Sequence, residues 1–271
     1  MIHADCHLHS HHSGDSESSM ESMIEAGIAA GLDCMCFTEH NDFDYPECPD
    51  IPSDKWLLNV DSSLYELISM RERYEGKLKI LFGLELGLQP GCMRQNAIIA
   101  KSHEFDFIIG SSHVVDSMDP YYPTYWEGKT EQEGIRRYFE SELENIKKHS
   151  NFDVYGHLDY VVRYAPSGNR DYASSDYSDI IDQILKALIE KGKGIELNTG
   201  GIKSGMTDFH PCRAILKRYL ELGGEILTIG SDAHTPDHVA DHFERACDAL
   251  KDCGFKYYAV FEKRNPEFFR L

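Results

Sequence analysis

Short β-branched or apolar runs alternate with amphipathic helical stretches along the whole chain, and this alternation limits the fold more than any other feature. The runs at 2–6, 34–38, 78–86, 105–110, 152–157, 194–198, 226–230 and 257–261 read as strands. Between them the spacing predicts helices over 20–30, 62–74, 131–148, 177–191, 211–222 and 238–251. In the first, Met20, Met23, Ile24, Gly27 and Ile28 recur at helical spacing, and Gly31, Gly192 and Gly223 stand just past helix ends. Repeated strand–helix units predict a parallel sheet, because a parallel connection must cross back over the sheet. Seven or eight such units in 271 residues predict a closed α/β barrel in a single domain spanning 1–271, with a doubly wound open sheet as the alternative. Three stretches, 41–59, 115–129 and 163–176, read as long loops, each following a strand that ends in a histidine-bearing motif. In a barrel such loops form the C-terminal rim, where active sites are built.

The net charge of −19 narrows the partners. Nucleic-acid polymers and anionic membranes are bound by clustered Lys and Arg, which the chain lacks; a metal-rich pocket could still attract a small anion. No apolar run approaches the roughly 18 residues of a membrane span, and no secretory leader is read at the start. Eight cysteines stand at 6, 34, 36, 48, 92, 212, 247 and 253 without a CxxC pair, which predicts reduced thiols in a cytoplasmic protein. Cys34 and Cys36, two apart on a strand, read as core thiols.

Strand ends carry the chemistry. The first runs into Asp5-Cys6-His7-Leu8-His9, where alternation projects Asp5, His7 and His9 to one face. Two imidazoles at that spacing can chelate one metal, with the nearby carboxylate orienting a ring from behind. An HxH alone is weak, and His11 and His12 show how easily the count inflates. The pattern recurs, however, in Thr38-Glu39-His40, Gly83-Leu84-Glu85, Gly110-Ser111-Ser112-His113, Gly156-His157-Leu158-Asp159 and Gly230-Ser231-Asp232-Ala233-His234. Six strand ends bearing metal-capable residues point jointly to a metal cluster.

These motifs resemble those of the polymerase and histidinol phosphatase (PHP) superfamily, and within it the histidinol-phosphate phosphatases. The resemblance runs from Asp5 through Asn265. Gly156-His157-Leu158-Asp159-Tyr160-Val161-Val162-Arg163-Tyr164, Glu196-Leu197-Asn198-Thr199 and Gly230-Ser231-Asp232-Ala233-His234 carry it most specifically. It implies a distorted, TIM-like (β/α)7 barrel with 257–261 appended, and a centre of three divalent ions (Zn, Fe, Mn or Co). By the family's motifs the first ion would take His7, His9, Glu85 and Asp232. Glu85 would bridge to a second held by His113 and His157, and the third would take Asp15, His40 and His234. Many relatives have histidine where this chain has Asp15, and Glu17 is the alternative ligand.

The implied activity is hydrolysis of a phosphate monoester, L-histidinol phosphate giving L-histidinol and phosphate in histidine biosynthesis, by a metal-bridging hydroxide attacking phosphorus. Three divalent ions, three carboxylates and one hydroxide would leave about +2, matching a monoester dianion. Asp232 or His234, or a water they hold, would protonate the leaving alkoxide. Arg163 is the first candidate for the phosphate, with Lys203 and Arg213 weaker; Asn198 would hold substrate or cap the strand-to-helix turn. Tyr121, Tyr122, Tyr125 and Trp126 would cover a small substrate or pack on the barrel. The acids Asp42, Asp44, Glu47, Asp50 and Asp54 would be solvated or receive a cationic amine. The rival readings are a phosphodiesterase or exonuclease acting on short nucleotides, and a non-catalytic metal-binding protein.

Overall fold

The computed structural model describes residues 2–47, 51–168 and 172–271. Its strands are β1 (Ala4–Leu8), β2 (Cys34–Phe37), β3 (His40–Asn41), β4 (Lys79–Gly87), β5 (Phe107–Ser111), β6 (Val154–Tyr155), β7 (Gly194–Asn198), β8 (Leu227–Gly230), β9 (Tyr257–Glu262) and β10 (Asn265–Arg270). Seven of them pair in parallel in the order β1-β2-β4-β5-β6-β7-β8. β3 lies beyond the end of β2 and pairs with β4, placing His40 opposite Glu85. The seam between β8 and β1 is crossed just past β8. His9 N–H donates to the Ala233 carbonyl at 2.9 Å, and Asp232 N–H donates to the His7 carbonyl at 2.8 Å. The chain thus forms the expected distorted barrel of seven parallel strands. The doubly wound alternative fails because it would put β1 inside the sheet, whereas β1 lies at the seam.

The helices are α1 (Met20–Ala29), α2 (Val60–Arg73), α3 (Met93–Ile99), α4 (Glu131–Lys148), α5 (Ser178–Glu190), α6 (Gly200–Lys203), α7 (Arg213–Glu221) and α8 (Phe243–Cys253). Local chemistry starts several of them. Ser19 caps α1 by accepting from Ser22 N–H, and Asn59 caps α2 from Ser62 N–H. Thr130 and Glu133 form a reciprocal capping box on α4, satisfying two otherwise unpaired N–H groups. In α5 the stripe Ile180, Ile181, Ile184, Leu185 and Leu188 is buried, as its 3.6-residue spacing requires. Gly31 adopts φ +78, the left-handed turn that stops α1.

Several elements differ from the sequence expectation. α3 went unread because it buries only Asn96 and shows no apolar stripe, and α6 is a single turn. α8 starts five residues later than expected, because Ala240 and His242 hold φ values of +56 and +60 that no helix admits. β9, expected as an appended strand, pairs antiparallel with β10. β10 was missed because it carries Pro266 and is largely exposed. The β9–β10 turn closes the barrel end that faces away from the histidine-bearing strand ends. Arg264 N–H donates to the Asp106 carbonyl before β5, and Arg264 Nε bonds Asp153 before β6. Cys34 and Cys36 are buried in the core as expected, all seven described cysteines are free, and Cys48 lies outside the described residues. No helix among the described residues is long and apolar enough to cross a membrane.

Candidate metal centre and active site

The strand ends converge. His7 lies on β1, His9 just past it, His40 on β3 and Glu85 on β4; His113, His157, Asp232 and His234 follow β5, β6 and β8. Glu85 sits at the centre and is fully buried. Its Oε2 lies 3.2 Å from His7 Nε2, 3.5 Å from His9 Nε2 and 2.9 Å from His40 Nδ1. Its Oε1 lies 3.3 Å from His113 Nε2 and 3.0 Å from His157 Nε2. Asp232 Oδ1 reaches His9 Nε2 at 3.5 Å and His7 Nε2 at 3.8 Å. Asp15 Oδ2 stands between His234 Nε2, at 3.1 Å, and His40 Nε2, at 3.5 Å. Glu17 makes no such approach among the described contacts. The fold permits this crowding only because Gly230 lacks a side chain: a Cβ there would meet His7 Cβ at 2.3 Å and Glu196 Oε1 at 2.6 Å.

The hydrogen-bond network decides what these atoms offer. His7 Nδ1 faces the Glu196 carboxylate at 2.6 Å, so it carries the ring proton and Nε2 is left as a lone pair. Ser13 Oγ donates to Glu39 Oε2 and accepts from His40 N–H, so His9 Nδ1, 3.0 Å away, must donate to it. His9 Nε2 is then a lone pair as well. These two nitrogens face each other at 3.1 Å beside a carboxylate oxygen, an arrangement that either a proton on His7 Nε2 or a metal ion between them stabilises. Glu85 Oε2 is buried without a hydrogen bond among the described residues. The donor set of imidazoles and carboxylates therefore fits divalent metal ions.

Ionisation follows the same logic. Burial opposes charge on Glu85, but His7, His40 and His113 outweigh it and hold the carboxyl well below its usual range. Burial likewise disfavours charged Asp232 and Asp15, and the neighbouring imidazoles again pull both well down. Burial also works against protonated His7 and His113; carboxylates around them raise both, His113 to about 10. His9 goes the other way, driven down by burial and by His40 and His234. Four overlapping donor groups result: His7, His9 and Glu85; Glu85, His113 and His157; His9, His40 and His234; and His40, Asp42 and His113.

A cavity of about 310 Å³ opens beside this cluster. Asp15, His40, His113, His157, Asp232 and His234 line it, and Arg163 stands over Tyr160. Tyr45, Trp56, Tyr121, Tyr122 and Tyr164 line it as well, with Asp119, whose Oδ2 accepts from Tyr45 Oη at 2.5 Å. The aromatic loop therefore divides between both readings. Tyr121 and Tyr122 face the cavity, while Tyr125 and Trp126 are buried and bond Gly134 and Pro120.

Some expectations need correction. Asp5 does not orient an imidazole ring; it accepts from His7 N–H, Ser231 N–H and Oγ, and Ala240 N–H, fastening the barrel seam. Asn198 does not line the cavity. Its Nδ2 lies 3.4 Å from Asp232 Oδ2 while its Oδ1 accepts from Gly200 N–H, so it steadies Asp232 and caps the turn. Lys203 Nζ donates to the Asp232 carbonyl at 3.1 Å. Arg213 is not brought to the site and pairs with Asp208 at 3.1 Å. Among the acids of the 41–59 loop, Asp42 is buried and takes the His113 Nδ1 proton at 2.8 Å, Asp44 and Glu47 bond Cys92 and Ser53, and Asp50 lies outside the described residues. Sequence reasoning also missed Ser13, Asp119 and His210, and gave Glu39, inside the quoted Thr38-Glu39-His40 motif, no role of its own. Glu196 lay in a stretch already singled out, without a role.

The family model described as the PHP domain matches residues 5–200. A probable histidinol-phosphatase of Clostridium acetobutylicum is 33% identical over 262 residues, covering 96% of this chain and 97% of the relative. A histidinol-phosphatase of Lactococcus lactis is 31% identical over 259 residues, covering 95% and 93%. The crystal structure of the Lactococcus lactis histidinol phosphate phosphatase, complexed with zinc, L-histidinol and phosphate, superposes with a TM-score of 0.90 at 30% identity, covering 97% of this chain and 98% of that one.

Proposed function

The chain belongs to the PHP domain family, and on that premise we propose that its cavity hydrolyses L-histidinol phosphate to L-histidinol and phosphate. The observation that carries the reading is the mixed lining of one small cavity. A buried cluster with the donor chemistry of a metal centre lines it together with Arg163, and so do aromatic rings and the carboxyl of Asp119. The first suits a phosphate dianion. The second suits a flat imidazole and an ammonium group, which an acidic residue and aromatic faces both attract. Full-length similarity to histidinol-phosphatases, one of them complexed with zinc, L-histidinol and phosphate, supports the same substrate.

Three divalent ions would be held by His7, His9, Glu85 and Asp232; by Glu85, His113 and His157; and by Asp15, His40 and His234. When bound, they supply a nucleophilic water at neutral pH and offset charge on the phosphoryl oxygens. The protein's own groups do the rest. Glu196, Ser13 with Glu39, and Asp42 fix the tautomers of His7, His9 and His113. Arg163, whose Nη2 has no hydrogen-bond partner among the described residues, is available to a phosphoryl oxygen. A water held by Asp232 or His234 would deliver the proton that the departing alkoxide needs as the phosphorus–oxygen bond breaks. The contiguous core supports treating 1–271 as a single domain, and the buried free thiols support a cytoplasmic setting.

The cavity's size and acidic lining favour this small cationic ester over the nucleotide alternative. Turnover of L-histidinol phosphate against that of a dinucleotide, with and without a chelator, tests the reading. Chelator-sensitive hydrolysis of the monoester is the expected result. Preferential hydrolysis of the dinucleotide overturns the substrate, and undiminished hydrolysis under chelation overturns the metal centre.

A further inference from the structure

The two histidines that the catalytic cluster leaves aside, His11 and His12, converge on Glu66 of α2, and we propose that these three side chains form an additional divalent-metal site outside the catalytic centre. Glu66 Oε2 lies 2.8 Å from His12 Nε2 and 3.3 Å from His11 Nε2. The two rings sit side by side with centroids 4.4 Å apart. Around a tetrahedral zinc with bonds of about 2.0–2.1 Å, neighbouring ligand atoms stand about 3.3 Å apart; the two carboxylate–imidazole edges are already near that length, and one ligand atom from each of the three residues lies within 4.8 Å of the others. Two imidazoles and one carboxylate suit zinc, cobalt or nickel. One negative charge on Glu66, within a chain of net charge −19, favours a cation there.

The site differs from the buried cluster in kind. His12 and Glu66 are partly covered while His11 is 42% exposed at its side chain, so water can complete the coordination. Its consequence is mechanical. The segment between β1 and α1 carries Ser13, which fixes the His9 tautomer, and Asp15, which stands between His40 and His234. Outside that cluster the segment is held by backbone bonds such as His11 N–H to the Ser18 carbonyl. An ion shared with Glu66 would fasten it to α2, an element separate in sequence.

Zinc titration of the catalytically loaded enzyme tests this, with metal counted per chain after removal of free ion and melting temperature followed alongside. Wild type is expected to bind one more zinc than Glu66→Gln and to melt higher in zinc. The variant should keep its catalytic metals, its activity and its fold, because glutamine can still hydrogen-bond His12. A His11→Ala/His12→Ala variant should lose the same single ion. Equal zinc counts in wild type and Glu66→Gln, or an extra zinc that survives both variants, would overturn the proposal and leave only a histidine–glutamate ion pair.

Discussion

Arg163 Nε donates to His210 Nε2 at 3.3 Å, and this contact fixes how the guanidinium meets the cavity. His210 Nδ1 donates to Asp159. That carboxylate also takes the Tyr172 hydroxyl and the Cys212 N–H, each at 2.9 Å. Burial lowers the pKa of His210 against the pull of Asp159. A neutral ring with its proton on Nδ1 presents a lone pair to the arginine. His210 is therefore a positioning residue that acts through Arg163.

Loss of Arg163 should accordingly cost more than loss of His210, and the two should not multiply. Arg163→Ala is expected to lower kcat/KM by about 10²–10³, the range for removing one donor from a developing oxyanion. His210→Ala should cost about tenfold, and the double variant no more than Arg163→Ala alone, since residues acting as a unit are non-additive. Steady-state kinetics on all three, with melting curves to verify folding, checks this. Independent, multiplying losses would show that His210 does not act through Arg163.

Asp119 lines the cavity, and in the proposed reading it receives the organic half of the substrate, which makes a separable prediction. Asp119→Asn should raise KM for L-histidinol phosphate by about tenfold, roughly 1.4 kcal/mol, through loss of charge attraction. It should leave an aryl phosphate whose leaving group carries no positive charge nearly unaffected. A KM that rises equally for both esters would place Asp119 in phosphate binding or folding instead.

The contrast between these residues and the metal cluster shows what a sequence makes legible. His7, His9, Glu85, Asp232 and His234 stand out because strand ends recur at readable intervals and the two-residue strand period fixes their side. The groups behind them do not stand out. Glu196 is 189 positions from His7 in the chain, and its pairing depends on which strands meet across the barrel. Asp5, nearest in sequence, was the natural candidate to orient a ring, yet it is spent on closing the seam with Ser231 and Ala240. Asp42, read as solvated or amine-binding, instead supports His113, and Asp119, which had no reading, lines the cavity, because the path of a long loop is set by packing rather than periodicity. The barrel itself was readable from alternation, whereas β10, exposed and paired only with β9, offered no core-facing pattern.

Glu196 gives the test of the supporting carboxylates. With glutamine there, the His7 tautomer is no longer imposed, and metal affinity should fall about 10–100-fold. Metal content after dialysis against a graded chelator should show the Glu196→Gln enzyme emptying first, with Asp119→Asn unchanged. Equal retention by wild type and Glu196→Gln would mean that the carboxylate does not orient the ligand.

Glu142, on α4, predicts a pH dependence of stability unconnected with catalysis. Its carboxyl is fully buried, and neither oxygen has a hydrogen-bond partner among the described residues. Burial, and secondarily Asp159, push its pKa well above the usual value, so the folded state keeps a proton that the unfolded chain releases above about pH 4.3. Between that point and the raised folded value, stability falls as pH rises, by about 1.4 kcal/mol per pH unit for this one group. Glu142→Met removes the ionisable group while keeping an unbranched side chain that fills similar space. Its stability relative to wild type should therefore be small at about pH 5 and grow toward about pH 8 as unfolded wild type ionises. Urea midpoints measured across that range check it, because every other titrating group is common to both proteins and cancels in the difference. A difference that stays constant with pH would mean that Glu142 is ionised in the fold, with a compensating partner supplied from outside the chain.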